Sequence, residues 1–342
     1  ISTDLFLLLF WTLSLNELIK ISSKQNLRSF ILLGIFLGLG FLSKYATVYF
    51  IISLLILILL DKEFRKIFSN NVLWFGLSFL IILIIITPNI IWNLNNNWVT
   101  LQHTSDNANF SNTKISLVRG LEFLLTQAFM LGPFMVLGGL VSFTKIEDKQ
   151  KILLVFSLPI ILIVLIEAVF VRANANWAAP ALISLYAYFY ISVRNSILKT
   201  LNFIFNFSFS VIFFVMISVS SPLSLFDRIS GLNDYALKIY NNSSNGNLEN
   251  IVISDRLLFS SLNYELREKN VNFYMPHKIG EKITNHFKIT SPLNKNITKN
   301  FILIGDPSDI SYLENEYKII EKNPPIQKFT KRKLEVYEII FE

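Results

Sequence analysis

The chain has no cysteine. That excludes a disulfide framework, a thiolate metal site and a thiol nucleophile. Charge is scarce as well: 16% of residues are Asp, Glu, Lys or Arg, against roughly 25% in soluble domains. No GxGxxG or P-loop pattern occurs near the strand-like segments, so no nucleotide site is assigned. No internal repeat is visible. A net charge of +7 would suit nucleic acid, but the basic residues sit in short connections between apolar runs. Membrane topology accounts for them there, and nucleic-acid binding is excluded.

What is abundant is apolar sequence. Half the chain, 52%, is hydrophobic over 342 residues, and several windows exceed the ~18 residues that read as a membrane span. The reading is a polytopic α-helical membrane protein of about eight spans, near 4–20, 28–43, 45–60, 71–91, 117–143, 152–171, 178–193 and 201–222. One run, Phe30 to Leu60, holds a lysine at its centre, Lys44. A helix through the whole run would be ~46 Å long against a ~30 Å hydrocarbon core. Two helices meeting at Ser43-Lys44-Tyr45 resolve both the length and the buried charge.

The cations test that split. Alternate connections carry eleven lysines and arginines on one side (among them Lys20, Lys62 and Lys145) and four on the other: Lys44, Lys114, Arg119 and Arg172. The positive-inside rule places the richer set in the cytoplasm. The far face then carries Asp4, Lys44, Tyr45, the loop from Asn93 to Lys114, and VRANANW at 171–177. After Phe226 the composition changes. NNSSNGN at 241–247 reads as a polar loop, IVISD and NFILIGD as short buried strands, Arg256 to Lys269 as a helix, and KLEVYEII as a last strand. The expected organisation is a helical membrane domain over 1–225 and an extracytoplasmic α/β domain over 226–342.

Several residues carry both a plain and a functional reading. Lys44 is either a snorkelling interfacial lysine or the cation for a lipid phosphate, with Tyr45 beside it suited to an interface in both cases. Asp4 is either a helix N-cap or a polar group lining a cavity at the membrane surface. Trp98, in WNLNNNWVTLQH, is either an aromatic-belt residue or part of a loop over a head group. His103 and Asp106 could serve as acid, base or metal ligand. Glu122 and Glu167 are carboxylates inside spans, where such groups commonly face a cavity; Glu122 shares a helix face with Arg119. In NANWAAPAL, Asn176 and Trp177 either start a helix or hydrogen-bond a ligand. ISDR and IGDP look like strand-end turns of α/β folds.

ISTDLFLLLFW, GLGFLSKYA, PNIIWNLNNNWVTLQ, GLEFLLTQAFMLGP and NANWAAPA, in this order and spacing, resemble the bacterial branch of glycosyltransferase family 39. That branch includes dolichyl-phosphate-mannose protein mannosyltransferase-like proteins and the aminoarabinose lipid A transferase. SSLNYELREKNVNFYMP extends the resemblance into the tail. It implies the GT-C architecture, and transfer of a sugar from a polyprenyl-phosphate carrier to a lipid, glycan or protein acceptor on the extracytoplasmic face of the bacterial inner membrane. Asp4 keeps the acidic position of the family's "TPDAPL" form, although Thr3 stands where proline is usual. Lys44 and Arg172 would face the departing phosphate; Tyr45, Trp98, His103, Glu122, Asn176 and Trp177 would help line the site. The family's main catalytic acids lie in a loop expected upstream of Ile1. The chain opens inside an apolar segment and reads as the interior of a longer protein, inactive by itself. A divalent cation is left open, with no residues assigned to it. The competing readings are a lipid-linked sugar transporter or flippase, for which no repeat is visible, and a non-catalytic lipid-binding remnant.

Overall fold

A computed structural model describes residues 2–102, 115–141, 148–171, 173–218, 231–242, 249–322 and 334–341. Two units emerge, Ile1–Ser210 and Val211–Glu342, and the division falls inside the helix Ser196–Ser218.

The first unit is helical. Helix α1 (Thr3–Ser23) is capped by Ser2, whose hydroxyl accepts the Asp4 N–H at 3.2 Å. Asp4 therefore lies in the first turn and is not the cap, and its carboxylate is free to point elsewhere. Helix α2 (Leu27–Ser43) stops where Lys44 turns extended, at φ −164° and ψ 136°. A 3-10 turn, Tyr45–Thr47, leads into α3 (Val48–Leu60). The long apolar run is thus two helices broken at the lysine. A third, amphipathic helix, α4 (Lys62–Asn70), leaves α3 at 108°. It packs Phe68 on Phe75, with ring centroids 5.0 Å apart, while Lys62, Arg65 and Lys66 line its other positions.

Helix α5 (Val72–Asn95) continues through Pro88, well past the end expected for that span. Of the loop expected from Asn93 to Lys114, residues 96–98 form a turn and 99–102 are helical, while 103–114 lie outside the described residues. Helices α2 and α5 pack closely because glycine lets them. A Cβ on Gly34 would lie 2.6 Å from the Ser78 carbonyl oxygen, and one on Gly38 2.9 Å from the Ile85 Cβ. Small residues at such seams let helix backbones approach, and the Ser78 hydroxyl reaches across to the Phe30 carbonyl at 2.7 Å.

The segment expected as one span at 117–143 is broken. Helices Leu117–Leu131 and Pro133–Val141 meet at 96°. Gly132 takes φ +92°, a left-handed conformation that glycine tolerates, and Pro133 starts the new helix with its fixed φ. Asn202 fills the elbow: its amide donates to the Leu131 carbonyl at 3.1 Å and its oxygen accepts the Met135 N–H at 3.0 Å. Further helices follow at Asp148–Val155, Leu158–Phe170, Ala179–Ser192 and Ser196–Ser218.

Among the described residues, four helices are long and apolar enough to cross a membrane, and up to six spans result if each bent pair counts as one. Eight were expected from the sequence. Only 17% of the apolar window in α5 and 6% of that in Ser196–Ser218 is buried, so these helices present apolar surface outward, as lipid contact requires. Inside the unit, Trp11, Phe50 and Phe156 form an edge-to-face core, with centroids 5.1 Å apart for Trp11–Phe50 and 4.6 Å for Phe50–Phe156.

The second unit contains a five-stranded mixed sheet ordered β2-β1-β3-β5-β4: β1 (Asn250–Ile253), β2 (Asn272–Tyr274), β3 (Phe301–Ile304), β4 (Tyr317–Lys322) and β5 (Val336–Phe341). Strands β1 and β3 are buried at all four positions, as central parallel strands are. Period-two alternation splits the core. Ile251, Ile253, Ile302 and Ile304 pack with helix Arg256–Glu265 on one face; Val252, Leu303 and Ile339 pack on the other. The aspartates of ISDR and IGDP are caps. Asp255 accepts the Leu258 N–H at 2.9 Å, and Asp306 forms a capping box with Asp309. The polar loop expected from Asn241 begins later, since helix Leu232–Asn242 includes its first two residues; 243–248 lie outside the described residues.

Candidate functional site

Three residues far apart in sequence meet at one place. The Lys44 ammonium contacts one Asp4 carboxylate oxygen at 2.5 Å, and the Asn176 amide donates to the other at 2.9 Å. The Ser2 hydroxyl adds a bond at 3.1 Å. Each comes from the end of an element: Asp4 from the first turn of α1, Lys44 from the break after α2, and Asn176 from the 3-10 turn Ala175–Ala178. The Lys44 and Asp4 side chains are 30% and 23% exposed. The pair is thus half sheltered yet open to a ligand. A hydrogen bond between charged groups is worth about 1.5–3 kcal/mol, enough to hold one rotamer of a long lysine.

The backbone fixes Lys44 too. Its N–H closes α2 on the Gly40 carbonyl at 2.9 Å, and its carbonyl accepts the Thr47 N–H at 3.1 Å. Next to it, the Tyr45 hydroxyl donates to the Asn89 side chain at 2.8 Å, accepts from the Asn93 amide at 3.2 Å and meets the Thr100 hydroxyl at 3.2 Å. Thr100 in turn bonds the Asn93 oxygen. Asn93 is 1% exposed, so this network is internal and ties the break at Lys44 to the end of α5.

Asn89 and Asn93 are one helical turn apart on α5. An i, i+4 pair of amides at the end of an apolar helix is a signal that Asn-rich composition hides. Gln127 is a second residue not singled out from the sequence. Its amide donates to the Ala175 carbonyl at 3.1 Å and holds the turn that carries Asn176.

The other expected residues divide. Trp177 packs, partly buried, against the helical core. Trp98 is 40% exposed and sits at φ +56°, a left-handed conformation unusual for a bulky side chain. Glu122 is exposed, because its helix turns Gly120, Phe123 and Gln127 inward. Arg119 sends its guanidinium to the Val169 and Val171 carbonyls. Glu167 is partly buried on helix Leu158–Phe170. His103, Asp106 and Arg172 lie outside the described residues. Among the described residues, no three His, Asp or Glu side chains converge. Asp4 faces a cation and an amide, a donor set that does not fit a divalent ion, so no chemistry is assigned to one.

Residues 1–92 match the model of the dolichyl-phosphate-mannose-protein mannosyltransferase family, a segment holding Asp4, Lys44, Tyr45 and Asn89. The chain has helices long and apolar enough to cross a membrane, and over these 92 residues it is similar to that glycosyltransferase family. Over 353 aligned residues it is 24% identical to the lipid A galacturonosyltransferase RgtD of Rhizobium johnstonii, covering 99% of this chain and 73% of the relative. No solved structure matches it significantly.

Proposed function

We propose that the chain moves a sugar from a polyprenyl-phosphate carrier to an acceptor on the extracytoplasmic face of the bacterial inner membrane, as the larger part of a GT-C-type glycosyltransferase. The observation that carries this reading is the meeting of Asp4, Lys44 and Asn176 at the ends of three apolar elements. The relative's name points to a glycolipid acceptor within the broader set of lipid, glycan and protein acceptors. The second unit would lie on the same face.

In such a transfer the bond from the anomeric carbon to the phosphate oxygen breaks. The acceptor oxygen takes that carbon, and the acceptor's hydroxyl proton leaves to a base. Negative charge grows on the departing phosphate, and a fixed cation there lowers the barrier. Lys44 is placed for this. An ammonium has three N–H donors; one engages Asp4, and the others can reach phosphate oxygens. Asp4 then acts as a positioning residue, itself held by Asn176. The base is not assigned to a described residue.

The test is Lys44→Ala in the protein expressed in its native membrane. Transfer should fall roughly 10²–10³-fold, the scale of losing one charge-stabilising donor, with membrane insertion unchanged. Lys44→Arg should keep more activity than Lys44→Ala. Undiminished transfer in Lys44→Ala would remove the cluster from the mechanism. A loss of lipid-linked sugar movement across the bilayer, with transfer intact, would favour the transporter reading.

A further inference from the structure

The second unit contains a cleft that the transfer reaction leaves without a role. It encloses about 620 Å³, within the range of small-molecule sites. Its wall includes Lys278, Lys288, Lys295, His277 and Tyr312, with Ile279 as exposed apolar surface.

The wall is built from two loops locked together. The Met275 N–H donates to the Ser291 carbonyl at 2.8 Å, and the Leu293 N–H to the Met275 carbonyl at 2.9 Å. The Tyr312 hydroxyl clamps both loops, accepting the His277 N–H at 3.1 Å and donating to the Leu293 carbonyl at 3.2 Å. The cations therefore sit on a fixed frame.

Three lysines lining one cleft repel each other, and the chain offsets this from outside the wall. Glu281 holds Lys288 at 2.8 Å and Glu314 holds Lys295 at 2.6 Å. Neither glutamate lines the cleft. The Lys288 side chain is only 12% exposed, so its charge is sheltered, while Glu281 is 49% exposed. His277 adds an unusual feature. Its Nδ1 is shielded from solvent and has no hydrogen-bond partner among the described residues; the Glu281 carboxylate lies 3.9 Å away.

We propose that this cleft binds an anionic oxygen group, a phosphate monoester or a carboxylate, carried on a sugar-sized molecule. Glu281 and Glu314 balance the lysines from behind and leave the remaining ammonium N–H groups for the ligand. Ile279 packs against the C–H face of its ring. The site does not depend on the transfer reading, because it concerns binding to the second unit alone.

The experiment is calorimetric titration of the full chain in detergent with glucose 6-phosphate, glucuronate and glucose. At least one of the two anions should bind, weakening as salt is raised, and glucose should not. Which anion binds distinguishes a phosphate from a carboxylate ligand. The double variant Lys288→Gln/Lys295→Gln should weaken binding roughly tenfold or more, as loss of charge-assisted bonds implies. Lys278→Gln, at an exposed position, should weaken it several-fold and keeps the test decisive if the double variant unfolds. Glucose binding as tightly as the anions, no binding by either anion, or unaltered affinity in folded variants would each overturn the proposal.

Discussion

Lys44 shows how one residue can shape both backbone and chemistry. As a charge at mid-run it breaks the helix, and as the break it sits at the meeting of three elements. It stood out in the sequence because a lysine among apolar residues has few uses. Asp4 and Asn176 stood out for the same reason. The partners of Tyr45 did not, since asparagines are common throughout this chain. The side of the helix that Glu122 takes was not legible: which way a helix faces depends on its neighbours, and here Gly120, Phe123 and Gln127 take the inside. The network predicts the behaviour of Tyr45→Phe. It removes a hydroxyl that serves Asn89, Asn93 and Thr100, which keep bonds to one another, so the cost should be about 0.5–1.5 kcal/mol. A lowered midpoint for thermal unfolding in detergent, with the protein still inserted, is the expected result; an unchanged midpoint would mean water replaces the hydroxyl.

At the scale of elements, the apolar runs were legible and their interruptions less so. The break at Lys44 could be read from length and charge. The break at Gly132 has a local signal in the Gly132-Pro133 pair that the surrounding apolar run hides, and Asn202, 70 residues away, braces the elbow with bonds to Leu131 and Met135. Helix α5 runs through Pro88 to Asn95, past the expected end near residue 91, since membrane helices tolerate an internal proline. Asn202 yields a test. Asn202→Leu removes both bonds, but the Leu131 carbonyl keeps the Asn206 amide and the Met135 N–H keeps the Gly132 carbonyl, so the cost should be about 1–3 kcal/mol at ~0.5–1.5 kcal/mol per bond lost. Asn202→Asp should restore only the bond to Met135. Protease sensitivity at residues 131–135 is the measurement; no increase in cleavage would show that the elbow does not need Asn202.

For the whole molecule, the change from lipid-facing helices to a sheet domain was plain in the sequence, because strands such as ILI and IVI stand out once charge density rises. The strand order was not, as nothing local says that β5 inserts between β3 and β4. The second unit also has a pH signature. The Lys288 ammonium bonded to Glu281 outweighs partial burial and holds that carboxyl below its ordinary value of 4.5. A depressed carboxyl stabilises the folded state above the unfolded value, and this contribution disappears as pH falls through the folded value. Glu281→Gln should therefore be less protected than the parent at neutral pH and converge with it as pH falls below the carboxyl's lowered folded-state value. Amide hydrogen exchange in β1 and β3 reads this locally, and a gap that persists at low pH would contradict the assignment.

The bends in the first unit carry a consequence for the bilayer itself. Helix α2 has 17 residues and α3 has 13, so neither exceeds ~26 Å at 1.5 Å per residue, against a ~30 Å hydrocarbon core. With α4 turning away at 108°, α3 cannot borrow length from it. Lipid around this edge must thin by several ångströms or draw its head groups inward. A carrier whose phosphate must reach Lys44 would then find the membrane already dimpled toward it. Reconstitution in lipids of increasing acyl length should lower activity steadily, and a flat profile would mean that neighbouring helices, not lipid, cover α2 and α3.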